Sequence, residues 1–314
     1  MSLPARPGVT IIVPVFNYAE FVGQALDSAL NQSYPEVDVL VVDDGSTDET
    51  PHVLETYGDS IRVVTQDHRG LSAARNTGLR ETRHELVAFL DADDVLQPSM
   101  VSVLHGTLTL MGESHALAAG ANAYIDASGR ELCKPPQGPA ETTDVTRDQL
   151  LLRNHFAPST VLARRDALLE VGGFDEDLPR AEDRDLWLRL AERYHLTQVP
   201  DILADVRLHF RNMSQDAELM GTCLERVLTA ALARRRTAPA WEKRCWAAYH
   251  HECAWMFHDA RERWPAVWHE LRSLRTCLSP GLRRDYGGPP WFRLRSLLRF
   301  LLGLHSRLET TTND

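Results

Sequence analysis

The chain of 314 residues, 43% hydrophobic and 25% charged, is long enough to bury a sizeable core and fits a soluble globular protein of one large domain with an appendage, or of two domains. Residues 1–217 hold 18 Lys and Arg against 34 Asp and Glu, and residues 218–314 hold 16 against 10, so the acidic body argues against nucleic acid as a partner. No apolar run has the length of a membrane span, Met1-Ser2-Leu3-Pro4-Ala5-Arg6-Pro7 lacks the apolar core of a signal peptide, and the five cysteines include no C-x-x-C pair, which points to a cytoplasmic protein with reduced thiols.

Val9-Thr10-Ile11-Ile12-Val13-Pro14-Val15 is a β-branched run without alternation, as expected of a strand covered on both faces. Pro14 cannot donate to a sheet, so the strand is expected to end about there and pass into a loop at Phe16-Asn17-Tyr18. Phe21, Val22, Ala25, Leu26, Ala29 and Leu30 recur at helical spacing between Glu20 and Asn31. A second strand, 37–42, ends in Asp43-Asp44-Gly45-Ser46-Thr47-Asp48, where Gly45 permits a sharp turn and Ser46 or Asp48 can cap a helix running from about Glu49 to Tyr57. Acidic side chains just past a strand's C-terminal end lie where open α/β sheets bind nucleotides, which gives Asp43 a task that capping does not. A third strand, 61–65, leads to Gly70-Leu71-Ser72-Ala73-Ala74-Arg75-Asn76-Thr77-Gly78. Its small residues on a short helix allow close approach of another body, and Arg75 either reaches a phosphate or carboxylate or is a solvated surface residue.

The fourth strand, 86–90, runs into Asp91-Ala92-Asp93-Asp94. Carboxylates packed this closely repel one another unless a cation, protons or open water relieves them. In an extended segment Asp91 and Asp93 share a face while Asp94 points elsewhere; the occupant is then a hard divalent cation with positions open for phosphate oxygens, the alternative being a solvated acidic turn. Beyond Pro98, the residues Met100, Val101, Leu104, Leu108 and Met111 mark a helix, 117–121 an apolar strand, and 124–132 a hairpin around Gly129. The loop 134–143 marks a change from a nucleotide half to an acceptor half.

The segment 158–214 begins with a strand at 159–162, a short helix at 166–170 and a turn at Gly172-Gly173-Phe174-Asp175-Glu176-Asp177. Ala181-Glu182-Asp183-Arg184-Asp185 then opens a helix whose apolar positions are Leu186, Trp187 and Leu190. The helix dipole is expected to depress a carboxylate's pKa there, and a weakly basic carboxylate still serves as general base when the proton moves late. Adjacent helical side chains diverge by roughly 100°, so one of Glu182 and Asp183 is expected to face the site. Strands at 195–199 and 202–208 deliver His209, either a plain hydrogen-bonded residue or an imidazole completing a site built on one or two carboxylates.

Val13-Pro14-Val15-Phe16-Asn17, Val41-Val42-Asp43-Asp44-Gly45-Ser46-Thr47-Asp48, the segment from Gly70 to Gly78, Phe89-Leu90-Asp91-Ala92-Asp93-Asp94 and Glu182-Asp183-Arg184-Asp185-Leu186-Trp187 occur in an order that resembles the family 2 glycosyltransferases, across residues 8–214. The resemblance implies an inverting enzyme of α/β class with a GT-A, Rossmann-like mixed sheet flanked by helices. It further implies a nucleotide-sugar-binding half at 8–125, an acceptor and catalytic-base half at 126–214, and a mainly α-helical, basic region at 215–314. By the same resemblance Pro14, Phe16 and Asn17 line the nucleotide pocket, Asp43 holds the base, usually uracil, with Asp44 nearby, and Arg75 and Asn76 lie near the diphosphate. Asp91 then approaches the ribose or a metal-bound water, Asp93 ligates Mg2+ or Mn2+, Asp183 is the general base with Glu182 beside it, and His209 serves the metal or diphosphate end. Val206 stands where an aromatic residue is common in the family.

The implied activity is metal-dependent transfer of one sugar from a nucleoside-diphosphate sugar, UDP-sugars favoured, to a hydroxyl of a glycan, lipid-linked or small-molecule acceptor, as in cell-surface polysaccharide, glycolipid or glycoconjugate synthesis. Single transfer is expected because Ala260 stands before Arg263-Trp264 where processive members carry Gln. Two other classes stay open: a sugar nucleotidyltransferase, which would show a Gly-rich basic loop after the first strand, and a non-catalytic nucleotide-sugar-binding protein, which would lose the base. In the tail, Trp291, Leu294, Leu298, Leu301 and Leu302 alternate with Arg293, Arg295, Arg299 and Arg307, as in a basic amphipathic helix. That region is open to peripheral contact with the inner face of a membrane, to self-association, or to packing on its own catalytic domain.

Overall fold

In the computed structural model the described residues are 8–132, 138–209, 216–277 and 292–304. The expectations for the N-terminal seven residues, part of the 134–143 loop, the segment after His209, Trp291 and Arg307 lie outside them. The chain falls into two compact units, one comprising residues up to Leu150 and from Asn154 to Phe210, the other Leu151–Arg153 and the residues from Arg211 on.

The first unit alternates strands and helices. Its elements are β1 (Val9–Val15), α1 (Val22–Leu30), β2 (Val37–Asp43), α2 (Thr50–Glu55), β3 (Arg62–Thr65), α3 (Leu71–Glu81), β4 (Leu86–Phe89), β5 (Val95–Leu96), α4 (Met100–Met111), β6 (His115–Asp126), β7 (Thr143–Asp144), α5 (Arg147–Leu152), β8 (Val161–Arg164), α6 (Arg165–Glu170), α7 (Glu182–Ala191) and β9 (His195–Leu208). The sheet order is β3-β2-β1-β4-β8-β6-β9-β5, with β7 also pairing β9. Strands β1 to β4 are mutually parallel and β8 is antiparallel to both β4 and β6, so the sheet is mixed, and β6 and β9 run in the direction of β4.

This order fixes where a ligand can sit. From β1 the chain steps outward to β2 and β3, then returns to place β4 on the other side of β1, which makes the C-terminal ends of β1 and β4 a topological switch point. The β-branched run of β1 is buried along its whole length, as its lack of alternation predicts. As expected, the strand ends about Pro14: Pro14 sits in register with Val42, β1 closes one residue later at Val15, opposite Asp43, and Phe16 begins the loop. Helix α3 packs close on β1 because Gly78 has no side chain: a Cβ there would lie 2.3 Å from Ile12 Cγ2.

Two readings of strands need correction. Residues 195–199 and 202–208 form the single strand β9, with pairing irregularities opposite 119–122 that absorb Pro200 as a bulge does. The acidic segment is not extended, because Asp94 N donates to Asp91 O at 3.0 Å and folds residues 91–94 into a turn. Asp91 and Asp93 therefore do not share a strand face.

The second unit contains α8 (Ala217–Arg234), α9 (Pro239–Asp259), α10 (Arg263–Thr276) and α11 (Phe292–Leu302). A buried His251 Nδ1 lies 2.8 Å from Glu270 Oε2, and Arg293 donates to Ser273 O at 2.9 Å. Helix α11 is amphipathic as read, with Leu294, Leu298, Leu301 and Leu302 together on its exposed side, but it packs through a second set, burying Arg293, Ser296, Leu297 and Phe300. No described helix is long and apolar enough to cross a membrane.

Candidate active site

At the switch point, Asp91, Asp93 and Asp94 turn in three directions. Asp94 is buried; its Oδ1 accepts from Arg207 N at 2.9 Å and its Oδ2 from Ser159 Oγ at 2.6 Å, so it fastens the turn to β9 and to the residues before β8. Ser159 Oγ in turn accepts from Asp91 N at 3.1 Å. Asp93 Oδ2 lies 2.9 Å from His209 Nε2, just past the end of β9, and the His209 ring stacks on Phe21. Arg207 braces the pair, donating through Nε to Asp93 O at 2.7 Å and through Nη2 to Gln24 Oε1 at 2.5 Å.

Burial and then the charge of Asp91 raise the pKa of Asp93, with His209 opposing. Burial, then Asp93 and Asp91, raise Asp94 well above the usual carboxylate range. An excess of negative charge held by protein in a partly closed turn is what a divalent cation relieves. The donor set of one carboxylate and one imidazole, beside the further carboxylate of Asp91, fits Mn2+ well and Mg2+ through the oxygens.

Arg75 is neither a solvated residue nor a bare phosphate hook. It is 1% exposed on α3; Nη2 donates to Asp91 Oδ1 at 2.5 Å and Nη1 to Glu182 Oε1 at 2.6 Å, with the guanidinium 5.2 Å from the centre of the Phe174 ring. Burial works against its charge, yet the two carboxylates carry its pKa above the ordinary value. One side chain thereby joins the acidic turn to the first residue of α7.

Asp183, next on that helix, is half-buried; Oδ1 accepts from Arg184 N at 2.6 Å and Oδ2 from Asn154 Nδ2 at 2.7 Å. Burial, then the charge of Glu182, push its pKa up to about 7, and the two hydrogen bonds and Arg75 only partly oppose this. The expectation that the helix dipole depresses this group is overturned: loss of water outweighs the dipole. Glu182 and Asp183 do diverge, one to Arg75 and the other to Asn154. The residue that opens the helix, Ala181, holds φ 57°, a left-handed conformation that costs a residue with a Cβ about 1 kcal/mol or more.

The residues expected to line a nucleotide pocket are held by contacts within the protein. Asn17, also at φ 57°, accepts through Oδ1 from Thr47 N at 2.7 Å and Asp48 N at 3.2 Å, and Ser46 Oγ accepts from Asn17 N. Ser46 therefore does not cap α2, whereas Asp48 does accept from Thr50 N at 2.9 Å. Asp43 is buried and accepts from Ser46 N; Asp44 is buried and gathers Gln66 Nε2, Arg69 N and Gly70 N. Phe16 stacks on the His68 ring, with centroids 3.9 Å apart. Pro14 lies buried within β1, and Asn76 bonds Phe174 O, Phe174 N and Glu176, holding the 173–176 turn.

Sequence reasoning missed Asn154, Ser159, Gln24 and His68. Only His68 left a signal, since it lies just past the end of the third strand, on the edge where Asp43 and Asp91 had been noticed.

Residues 10–171 match the glycosyl transferase family 2 profile, so the chain belongs to that family, a family of glycosyltransferase enzymes. An uncharacterised glycosyltransferase of Rickettsia bellii is 33% identical over 188 residues, 59% of this chain and 27% of that protein. The chain spans 27%, 34% and 34% of the length of the relatives in Rickettsia bellii, R. felis and R. conorii, and 64% and 68% of those in R. prowazekii and R. typhi. Among solved structures, Staphylococcus aureus TarS residues 1–349 in complex with UDP-GlcNAc superposes with a TM-score of 0.65 at 18% identity, covering 96% of this chain and 93% of that one. The mannosyltransferase PcManGT of Pyrobaculum calidifontis, in complex with GDP-Man and Mn2+, gives 0.59 at 20% identity, covering 96% and 86%. These two likenesses establish the fold, a mixed sheet flanked by helices of the GT-A kind, with C-terminal helices.

Proposed function

We propose, with membership of glycosyl transferase family 2 as the premise, that the chain transfers a single sugar from a nucleoside-diphosphate sugar to an acceptor hydroxyl with inversion at the anomeric carbon. The observation that carries the proposal is the Arg75 bridge, which ties the Asp91–Asp93–Asp94 turn to the helix bearing Asp183. It sets a cation-type cluster and a poised base at neighbouring points of one sheet edge.

In this reading Phe16, Asn17 and Asp43 border the nucleoside, as the loops after β1 and β2 would require. Asp93 and His209 would hold Mn2+ or Mg2+, which when bound offsets the diphosphate charge and stabilises the departing nucleoside diphosphate. Asp183 accepts the proton of the acceptor hydroxyl while the acceptor oxygen bonds to the anomeric carbon and the bond from that carbon to the phosphate oxygen breaks. A carboxylate near pH 7 in its proton affinity is better matched to this task than a solvated one. Arg75 and Asn154 position the carboxylates and do not touch the reacting atoms. The presence of UDP-GlcNAc and of GDP-Man with Mn2+ in the two superposed structures supports a nucleotide-sugar donor; the preference for UDP-sugars rests on the family resemblance of the Asp43 segment alone.

The test is a panel of UDP-, dTDP- and GDP-sugars, assayed for donor hydrolysis or transfer with Mn2+, with Mg2+ and with chelator. Asp93→Ala is expected to abolish metal-stimulated turnover and Asp183→Asn to lower kcat by at least about a hundredfold with donor binding retained. Asp183→Asn turning over at the wild-type rate would sink the base assignment. Donor binding without turnover in the wild type, under every metal condition, would favour a non-catalytic binding protein.

A further inference from the structure

The end of the sheet opposite the candidate active site carries a second, differently built group. Strands β6 and β9 begin side by side in parallel register, His115 opposite His195, and β7 lies antiparallel to β9 with Asp144 opposite Thr197. His115 Nε2 is 3.3 Å from Asp144 Oδ1 and His195 Nδ1 is 3.6 Å from Asp144 Oδ2. The two imidazoles face each other with ring centres 5.0 Å apart, and one ligand-capable atom from each of the three residues falls within 4.8 Å of the other two. Because β9 runs fourteen residues from His195 to Leu208, this group lies on the order of 40 Å along the strand from His209.

We propose that His115, Asp144 and His195 form a binding site for a divalent cation of the zinc class. Zinc bonds of about 2.0–2.1 Å in tetrahedral array set ligand atoms about 3.3–3.4 Å apart; each imidazole already lies near that distance from an oxygen of Asp144, His115 from Oδ1 and His195 from Oδ2, so the carboxylate can face the ion with either oxygen. Two nitrogens and one oxygen select Zn2+, Co2+ or Ni2+ over Mg2+, in contrast to the oxygen-rich turn at Asp91 to Asp94. The surroundings orient the ligands: Thr197 Oγ1 donates to Asp144 Oδ1 at 2.6 Å, and His115 Nδ1 lies 3.3 Å from Ser114 Oγ. When His115 Nε2 turns its lone pair to the metal, its remaining proton sits on Nδ1 and donates to that hydroxyl. The His195 side chain is 64% exposed and Asp144 47%, which leaves an entry path and a fourth position for water. The bound ion staples the two-residue strand β7 and the start of α5 to the heads of β6 and β9.

The test is zinc binding by competition with a chromogenic chelator, on the full chain carrying Asp93→Ala and His209→Ala to remove the other candidate donors. One zinc per chain is expected to remain, without displacement by Mg2+, and His195→Ala and Asp144→Asn are each expected to weaken it by at least about tenfold. Affinity unchanged by both substitutions, or no zinc bound, overturns the proposal. The imidazole 15N resonances of the unsubstituted chain give a reading that does not depend on a variant folding: zinc must move the signals assigned to His115 and His195, and stationary signals overturn the site equally.

Discussion

Replacing Arg75 with Met keeps most of the buried stem and removes the one cation that serves both Asp91 and Glu182. Both hydrogen bonds are short, at 2.5 and 2.6 Å, and the exposures differ, since the side chain of Asp91 is 29% exposed and that of Glu182 is 7%. Asp91 can regain water, so the cost falls chiefly on Glu182. Breaking a buried pair from one side costs about 3–5 kcal/mol, and the rehydration of Asp91 places this one near 3 kcal/mol. At about 1.4 kcal/mol per tenfold, local opening around α3 and α7 becomes more than a hundredfold more frequent. Hydrogen exchange followed on peptides from α3, from the turn after β4 and from the start of α7 reads this directly. Exchange faster by about a hundredfold near pH 8, after correction for the intrinsic rate, is the expected result. Acceleration below about fivefold near pH 8 would refute the assignment of Arg75 as the clamp between the two carboxylates.

If Asp183 is the base, kcat/KM rises with pH and levels off above about pH 7, the limb reporting the unprotonated carboxylate. The same raised pKa makes the folded state lose up to about 4 kcal/mol as the pH climbs from about 4 to about 7, so Asp183→Asn is expected to be more stable than wild type near pH 8 in urea unfolding, with no advantage near pH 4. Asn154→Ala removes a donor to the ionised carboxylate, so the limb of the pH profile moves to higher pH while the metal requirement stays as it was. Gly78→Ala places a Cβ against the buried Ile12 side chain and is expected to cost about 1–3 kcal/mol, with a lower midpoint in thermal unfolding; an unchanged midpoint would mean that α3 moves off β1 without strain.

The parallel core was legible because its strands are unbroken β-branched runs and the helices between them are amphipathic, both local properties. The strand ends were legible as a site for the same reason: polar clusters follow 42, 65 and 90 at the point where a doubly wound sheet presents them. Residues 195–199 and 202–208 read as two strands because only the pairing of β6 with β9 shows that an irregularity carries one strand through Pro200. The turn at 91–94 could not be distinguished from an extended segment, because the bond that folds it is made by the backbone. Asp183 was placed under the influence of its own helix, whereas its surroundings come from Asn154, twenty-nine residues back, and no sequence pattern announces that contact. Helix α11 shows the same limit: which side of an Arg- and Leu-rich helix faces inward depends on Ser273, which lies on another helix, accepting from Arg293.

In the proposed reading, the loops that would border the nucleotide are held in place within the protein before any donor arrives. Asn17 gathers the loop after β2, Asp44 gathers the loop after β3, and Asn76 gathers the 173–176 turn, each through several hydrogen bonds within the protein. Little chain disorder then remains to be lost when a ligand binds, so the entropic cost of ordering the pocket has been met during folding. Selectivity among donors would accordingly arise from fit to a fixed contour. A sugar nucleotide slightly too large would be refused outright, whereas a looser rim would reshape itself around it.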